Sequence, residues 1–261
     1  MRILLTNDDG IGAEGFAALE KIAGELSDDI WMVAPEAEQS GASRALTLSE
    51  PLRVRQLDER RFAVAGTPCD CVTLALMELI DGPKPDLVLS GVNRGHNVAE
   101  DVTMSGTVAG AIEGMALGVP AIALSQGLTW KRDQEPTIHF DTAEAFAPGL
   151  IRRLVEVGWP AGVIMNVNFP GRPPEEVEAV EITRQAFRDA QTRHFERRKD
   201  LRGRDYYWLG YRNLPSKPAD GTDLRAIYDG KISVTPLHID LTHMQTVHEL
   251  RAVIGGAPPK I

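Results

Sequence analysis

The sequence predicts an α/β protein, a doubly wound and mostly parallel sheet flanked by helices, with a protruding C-terminal hairpin arm. Three observations predict it. Apolar runs of strand length recur near residues 3–5, 30–34, 86–89, 121–125 and 163–169, and helical periodicity fills most intervals between them. Most of these runs stop at Gly, Pro, Ser, Asn or Asp, the residues that turn a chain. The first strand, helix and second strand fit a span of about thirty residues, the size of a βαβ unit, whose right-handed crossover makes the strands parallel.

Taken in order, Ile3-Leu4-Leu5 is a short buried strand that runs into Asn7-Asp8-Asp9-Gly10. A helix is expected from about Gly12 or Ala13, with Phe16, Leu19, Ile22, Ala23 and Leu26 on its inner face. Residues 30–34 form the second strand, stopped by Pro35, and the loop after it holds Gln39-Ser40-Gly41-Ala42-Ser43-Arg44. Short alternating runs at 52–55 and 62–65 read as an edge hairpin. Gly66-Thr67-Pro68 supplies a cap and a first-turn proline for a helix carrying Val72, Leu76, Leu79 and Ile80, with Asp70 at the favourable end of its dipole. The strand over residues 85–91 repeats the opening arrangement. It leads to a loop, residues 91–97, with Asn93, Arg94, His96 and Asn97, and then to Ser105-Gly106-Thr107 at the start of another helix.

Residues 121–125 are a strand, 127–137 an irregular stretch with Trp130 and Lys131 reaching outward, 140–157 a helix, and 163–169 a strand. The texture then changes. Residues 173–218 carry nine basic residues from Arg184 to Arg212, interleaved with acids and with Tyr206-Tyr207-Trp208. Two readings fit: an arm that buries aromatics against a partner subunit, or a basic lid over an anionic substrate. A short helix with Leu224, Ile227 and Tyr228, a strand at 232–237, and a last helix near 242–253 packed through Val247, Leu250 and Ile254 complete the chain. The expected division is a catalytic core over 1–172, an arm and oligomerisation element over 173–222, and a C-terminal strand and helix over 223–261, packing on this core or a partner's.

Composition narrows the function. The chain has 261 residues with 28 Lys and Arg against 37 Asp and Glu, a net charge of -9, which argues against broad nucleic-acid binding. No secretory hydrophobic region and no uninterrupted apolar stretch of about 18 residues occurs, so the cytoplasm is the expected compartment and no membrane partner is expected. Cys69 and Cys71 are the only cysteines, two residues apart, which excludes a disulfide framework. The first strand lacks the glycine fingerprint of dinucleotide binding, and no phosphate-loop lysine motif occurs anywhere.

The carboxyl ends of central strands converge on one crevice in a doubly wound sheet, so Asp8, Asp9, Ser40 and Asn93 can share it. Two adjacent aspartates repel each other unless a cation lies between them, although Asn-Asp-Asp-Gly is also an ordinary acidic turn. An all-oxygen set suits magnesium or manganese better than zinc. Ser105, Gly106 and Thr107 at a helix start make a phosphate cradle, or simply an N-cap. Phosphate-monoester hydrolysis is the natural chemistry of such a set.

Five ordered motifs in the first 125 residues carry a family resemblance. These are Ile3-Leu4-Leu5-Thr6-Asn7-Asp8-Asp9-Gly10, Val33-Ala34-Pro35 with Ser40-Gly41-Ala42-Ser43, Gly66-Thr67-Pro68-Cys69-Asp70-Cys71-Val72, Ser90-Gly91-Val92-Asn93-Arg94-Gly95, and Ser105-Gly106-Thr107-Val108. Together with Thr222-Asp223 and Val234-Thr235-Pro236-Leu237, they resemble the SurE family of survival-protein 5'/3'-nucleotidases. The resemblance implies a Rossmann-like fold and hydrolysis of nucleoside 5'- and 3'-monophosphates. It implies one divalent cation per subunit on Asp8, Asp9, Ser40 and Asn93, and substrate phosphate near Asn97 and Ser105 to Thr107. It also implies homodimers or homotetramers that exchange C-terminal extensions, which favours the arm reading. His96 departs from the small residue or proline expected in the family loop, and it reads either as a substrate-facing acid group or as a plain loop residue. Adjacent aspartates favour direct attack by metal-bound water over an aspartyl-phosphate. A nucleotide sensor, or a hydrolase of other phosphorylated or polyphosphate substrates, is the alternative use of the same site.

Overall fold

The computed structural model describes residues 1–130, 135–188, 193–211 and 216–255; Lys131 and Arg212, both named above, lie outside them. Nine strands form the main sheet: β1 (Arg2–Thr6), β2 (Asp29–Pro35), β3 (Arg53–Asp58), β4 (Arg61–Ala65), β5 (Leu87–Arg94), β6 (Ala121–Gln126), β7 (Val163–Phe169), β8 (Val180–Ile182) and β11 (Ile232–His238). The helices are α1 (Glu14–Gly24), α2 (Pro68–Leu74), α3 (Gly106–Ala116), α4 (Asp141–Val157), α5 (Asp223–Tyr228) and α6 (Met244–Ile254). Strands β9 (Arg193–Lys199) and β10 (Asp205–Tyr211) form a separate antiparallel hairpin.

The strand order is β3-β4-β2-β1-β5-β6-β7-β11-β8. Strands β4 through β7 of that order are parallel, and β3 is the antiparallel edge of the expected hairpin. From β1 the chain first builds outward to β2 and then returns to place β5 on the other side. The crevice at which such a sheet reverses direction therefore opens over the ends of β1 and β5.

Alternate side chains of each central strand serve opposite layers. Ile3 and Leu5 of β1 join Phe16, Leu19 and Ile22 of α1 and Ala143, Ala147 and Ile151 of α4 in one core layer. Leu4 points the other way, into a layer with Val72 of α2 and Val108 and Ala111 of α3. At about 1.5–3 kcal/mol for each large side chain buried, these layers hold the crevice rigid. Thr67 closes a capping box on α2: its hydroxyl accepts from Asp70 N, and the Asp70 carboxylate accepts from Thr67 N. Asp70 is also buried and accepts from Thr47 at 2.6 Å, so it pins a loop as well as facing a dipole.

Two expectations are corrected and a third is narrowed. β5 runs on through Arg94, so Asn93 sits in a strand end rather than in a free loop. Residues 180–182 of the segment expected to protrude form β8 in the main sheet, parallel to β11, and only the β9–β10 hairpin packs mainly on itself. Of the two surfaces expected for the last helix, this chain's own core is not the one used: Leu250 and Ile254 are exposed, and α6 has no buried residue among the described residues.

Candidate active site

The geometry begins with Asn7, whose side chain closes the turn after β1. Its Nδ2 donates to Gly10 O at 2.9 Å and its Oδ1 accepts from Gly10 N at 3.2 Å. That clamp fixes the two aspartates between its ends. Asp8 is buried, and its Oδ1 accepts a 2.5 Å bond from Thr107 Oγ1 at the start of α3. Gly106 permits this approach, since a Cβ there would lie 2.7 Å from Asp8 Cβ. Burial pushes the Asp8 carboxyl up to about 6, with the charge of Asp9 adding to the shift and the Thr107 hydroxyl opposing it. Asp9 is half-buried, and its Oδ2 accepts from Arg94 N at 3.2 Å. Burial raises its pKa as well; the Arg94 N–H pulls it down, while the charge of Glu38 pushes it further up.

The other expected residues differ in how they meet this pair. Gln39 N donates to Asp8 O at 2.7 Å, which ties the loop after β2 one residue from Ser40. Ser40 itself is exposed, and its hydroxyl donates to Glu38 at 2.8 Å. Asn93 spends its amide NH2 on Gly95 O at 2.9 Å, which leaves its side-chain oxygen as an acceptor. Ser105 is the N-cap of α3, accepting from Val108 N at 3.0 Å. With both hydroxyls of the Ser105-Gly106-Thr107 turn used internally, Gly106 N is the helix-start donor without a partner among the described residues. Asn97 is buried and faces the sheet: its amide donates to Ser125 at 2.9 Å, and Asn168 and Asn166 bracket its backbone. His96 is engaged at the ends of β6 and β7. Its ring contacts Gly127 so closely that a Cβ there would lie 2.1 Å from Nε2, and Nε2 bonds Phe169 O at 2.9 Å. Burial pushes its pKa down to about 4, so the ring is neutral.

Two desolvated carboxylates side by side need positive charge. No ion pair involves either of them among the described residues, and no cluster of three or more His, Cys, Asp or Glu occurs there. The donor chemistry fits a hard divalent cation held by Asp8 and Asp9 and completed by neutral oxygens, for which Ser40 and Asn93 are the nearest candidates in sequence and topology.

The family model for "Survival protein SurE" matches residues 3–192, which include every residue named in this site. The chain belongs to the SurE family. A protein of Caulobacter vibrioides named 5'-nucleotidase SurE is 70% identical over 260 residues, covering 100% of this chain and 98% of its own. The protein of the same name from Phenylobacterium zucineum is 68% identical over 261 residues, with complete coverage of both. The crystal structure of the SurE protein from Aquifex aeolicus superposes with a TM-score of 0.82 at 35% identity, covering 97% of this chain and 99% of that one.

Sequence reasoning missed several supports that this SurE member places around the pair. Arg94 contributes through its backbone N–H, which no side-chain motif reports. Glu38 was not singled out, although its charge acts on Asp9. Arg44 pairs with Glu113 of α3 at 2.8 Å, joining the loop after β2 to the helix that meets Asp8. The two cysteines are free and buried, and burial pushes the Cys69 thiol up to about 12, so neither is poised for chemistry.

Proposed function

We infer that this SurE family member is a metal-dependent 5'-nucleotidase, a phosphomonoesterase that releases phosphate from nucleoside monophosphates. The observation that carries the reading is the Asp8–Asp9 pair, without an ion-pair partner among the described residues, with the buried Asp8 lying against the first turn of α3. The names of its full-length relatives support the substrate class. Asp8 and Asp9 hold the cation, with Ser40 and Asn93 completing the oxygen set, and magnesium or manganese is the metal that such donors favour. When bound, the ion supplies a Lewis acid for the phosphoryl oxygens and acidifies water.

The chain's own groups supply the rest. Gly106 N and the positive end of α3 face the phosphate, while Thr107 keeps Asp8 oriented. Asp9 is the less buried of the two carboxylates, and one of its oxygens would take the proton of a water attacking phosphorus in line with the departing nucleoside oxygen. Hydrolysis of 3'-monophosphates follows if the same turn accepts the phosphate with the ribose reversed. Assembly as a dimer or tetramer through the β9–β10 hairpin is supported by its exposed Phe195, Tyr207 and Trp208. The two free thiols suit a reducing cytoplasm.

The test is phosphate release from a panel of 5'- and 3'-nucleoside monophosphates with magnesium or manganese, then with chelator. Release that stops with chelator and falls at least about a hundredfold in a folded Asp9→Asn variant is expected. Turnover unaffected by Asp9→Asn would overturn the assignment of the site.

A further inference from the structure

The turn that precedes α3 is held from outside the site. Residues Ala99–Thr103 form a 3-10 turn leading through Met104 to the Ser105 cap. Ala99 is fully buried and sits at φ 55°, in the left-handed region that a residue with a Cβ rarely occupies. Both of its backbone groups are fixed by side chains from the C-terminal part of the chain. Ala99 N donates to Asp223 Oδ2 at 2.9 Å, and Ala99 O accepts from Gln185 Nε2 at 2.8 Å.

Asp223 itself is completely buried. Its other oxygen accepts from Ala186 N at 2.9 Å and Leu224 N at 2.7 Å, so one carboxylate ties the turn, the root of the hairpin and the start of α5 together. Val98, Ala99, Ala186, Leu224 and Ile227 pack as a small core around it. One turn further on, Arg188 N donates to Glu100 at 3.0 Å, and its guanidinium lies 3.3 Å from Glu100 and 2.6 Å from Asp101. On the opposite side Ser43, in the loop that carries Ser40, donates to Thr103 O at 2.8 Å.

We propose that Asp223 and Arg188 are positioning residues for hydrolysis: they latch the Ala99–Thr103 turn to the root of the hairpin and so set the Ser105–Thr107 turn against Asp8 and the substrate phosphate. Neither residue touches the aspartate pair. Their effect passes through the 3-10 turn, which Asp223 holds at Ala99 N and Arg188 holds at Glu100 and Asp101. The proposal rests on the reading of Ser105 to Thr107 as the phosphate-facing turn, and its test separates the two.

The experiment compares Arg188→Gln, Arg188→Lys, Asp223→Asn and Thr107→Val in the full-length, metal-loaded enzyme. It measures kcat and KM for one 5'-monophosphate, the midpoint of a metal titration, and thermal stability. Misplacement of a catalytic turn by about an ångström costs up to a hundredfold, so a fall of about ten- to a hundredfold in kcat is expected for Arg188→Gln. KM and the metal midpoint should move much less, and Arg188→Lys should recover part of the loss. Asp223→Asn puts an NH2 where a carboxylate oxygen accepts and should show the same split; if it fails to fold, Arg188→Gln carries the test alone. A folded Arg188→Gln enzyme with unchanged kcat, beside an impaired Thr107→Val, overturns the latch. Unchanged turnover in Thr107→Val overturns the reading that this turn must be set against Asp8, and the latch with it.

Discussion

Helices α1 and α6 each have 11 residues, and each is amphipathic in sequence. The first buries Phe16, Ala18, Leu19, Ile22 and Ala23 against β1 and β5, whereas the second buries nothing. The difference lies in what the chain supplies opposite each helix. α1 returns directly onto the strands that flank it, as a βαβ crossover must. α6 follows the last strand, with no later strand to return to among the described residues. Periodicity therefore shows that a helix has a face to cover, and it does not say which molecule covers it. The β9–β10 hairpin repeats the lesson with Phe195, Trp208 and Leu209 exposed.

Substitutions test how far this contrast holds. Phe16→Ala should destabilise the fold by about 3–5 kcal/mol in chemical denaturation, because a fully buried ring leaves a cavity between α1 and the sheet. A loss below about 1 kcal/mol would show that α1 is not the anchor described. The next effect depends on pH. His96 has a folded pKa lowered to about 4, so between that value and its ordinary 6.5 the unfolded chain binds the proton and the folded chain does not. Its neutral burial contributes stability above pH 6.5 that is lost as pH falls toward 4. The stability gap between the parent and a His96→Gln variant should therefore change by up to about 3 kcal/mol across that window in favour of the variant, and a flat difference would refute the buried neutral ring. Comparing the two proteins cancels Asp8, whose raised pKa acts with the opposite sign. Smallest is the effect in the exposed region. Trp208→Ala or Leu250→Ala should change the stability of an isolated chain by no more than about 0.5 kcal/mol. Both should lower the assembled mass seen by light scattering if these surfaces are covered by another copy, and an unchanged mass would sink that model.

The same contrast explains what could be read in advance. Residues 3–5, 30–34 and 163–169 are dense apolar runs with clear stops, so β1, β2 and β7 were legible, as was the acid pair at the end of β1. β8 was not, because Val180-Glu181-Ile182 is short, exposed on one side, and a strand only through its pairing with β11. In the site, side chains with recognisable chemistry stood out, while the backbone N–H groups of Arg94 and Gln39 left no trace in residue identity. Asn97 was expected near the substrate phosphate only through the family resemblance. Its partners Ser125, Asn166 and Asn168 lie 28 to 71 residues away, and a sequence offers no sign of that network. Asp223 stood out only as part of the Thr222-Asp223 motif, and two of its three backbone partners come from positions 99 and 186, beyond the reach of any local pattern.

The placement of β11 between β7 and β8 has a consequence for synthesis on the ribosome. β8 leaves the ribosome about fifty residues before the strand it must pair with, so it waits at an open edge until residues 232–234 emerge. Asp223 and Arg188 belong to this late-closing portion, while β1 to β7 can already pair in the order they are made. The nascent protein thus holds its acid pair long before it holds the brace of the turn that faces it. Chains released early would carry the pair without the means to set that turn.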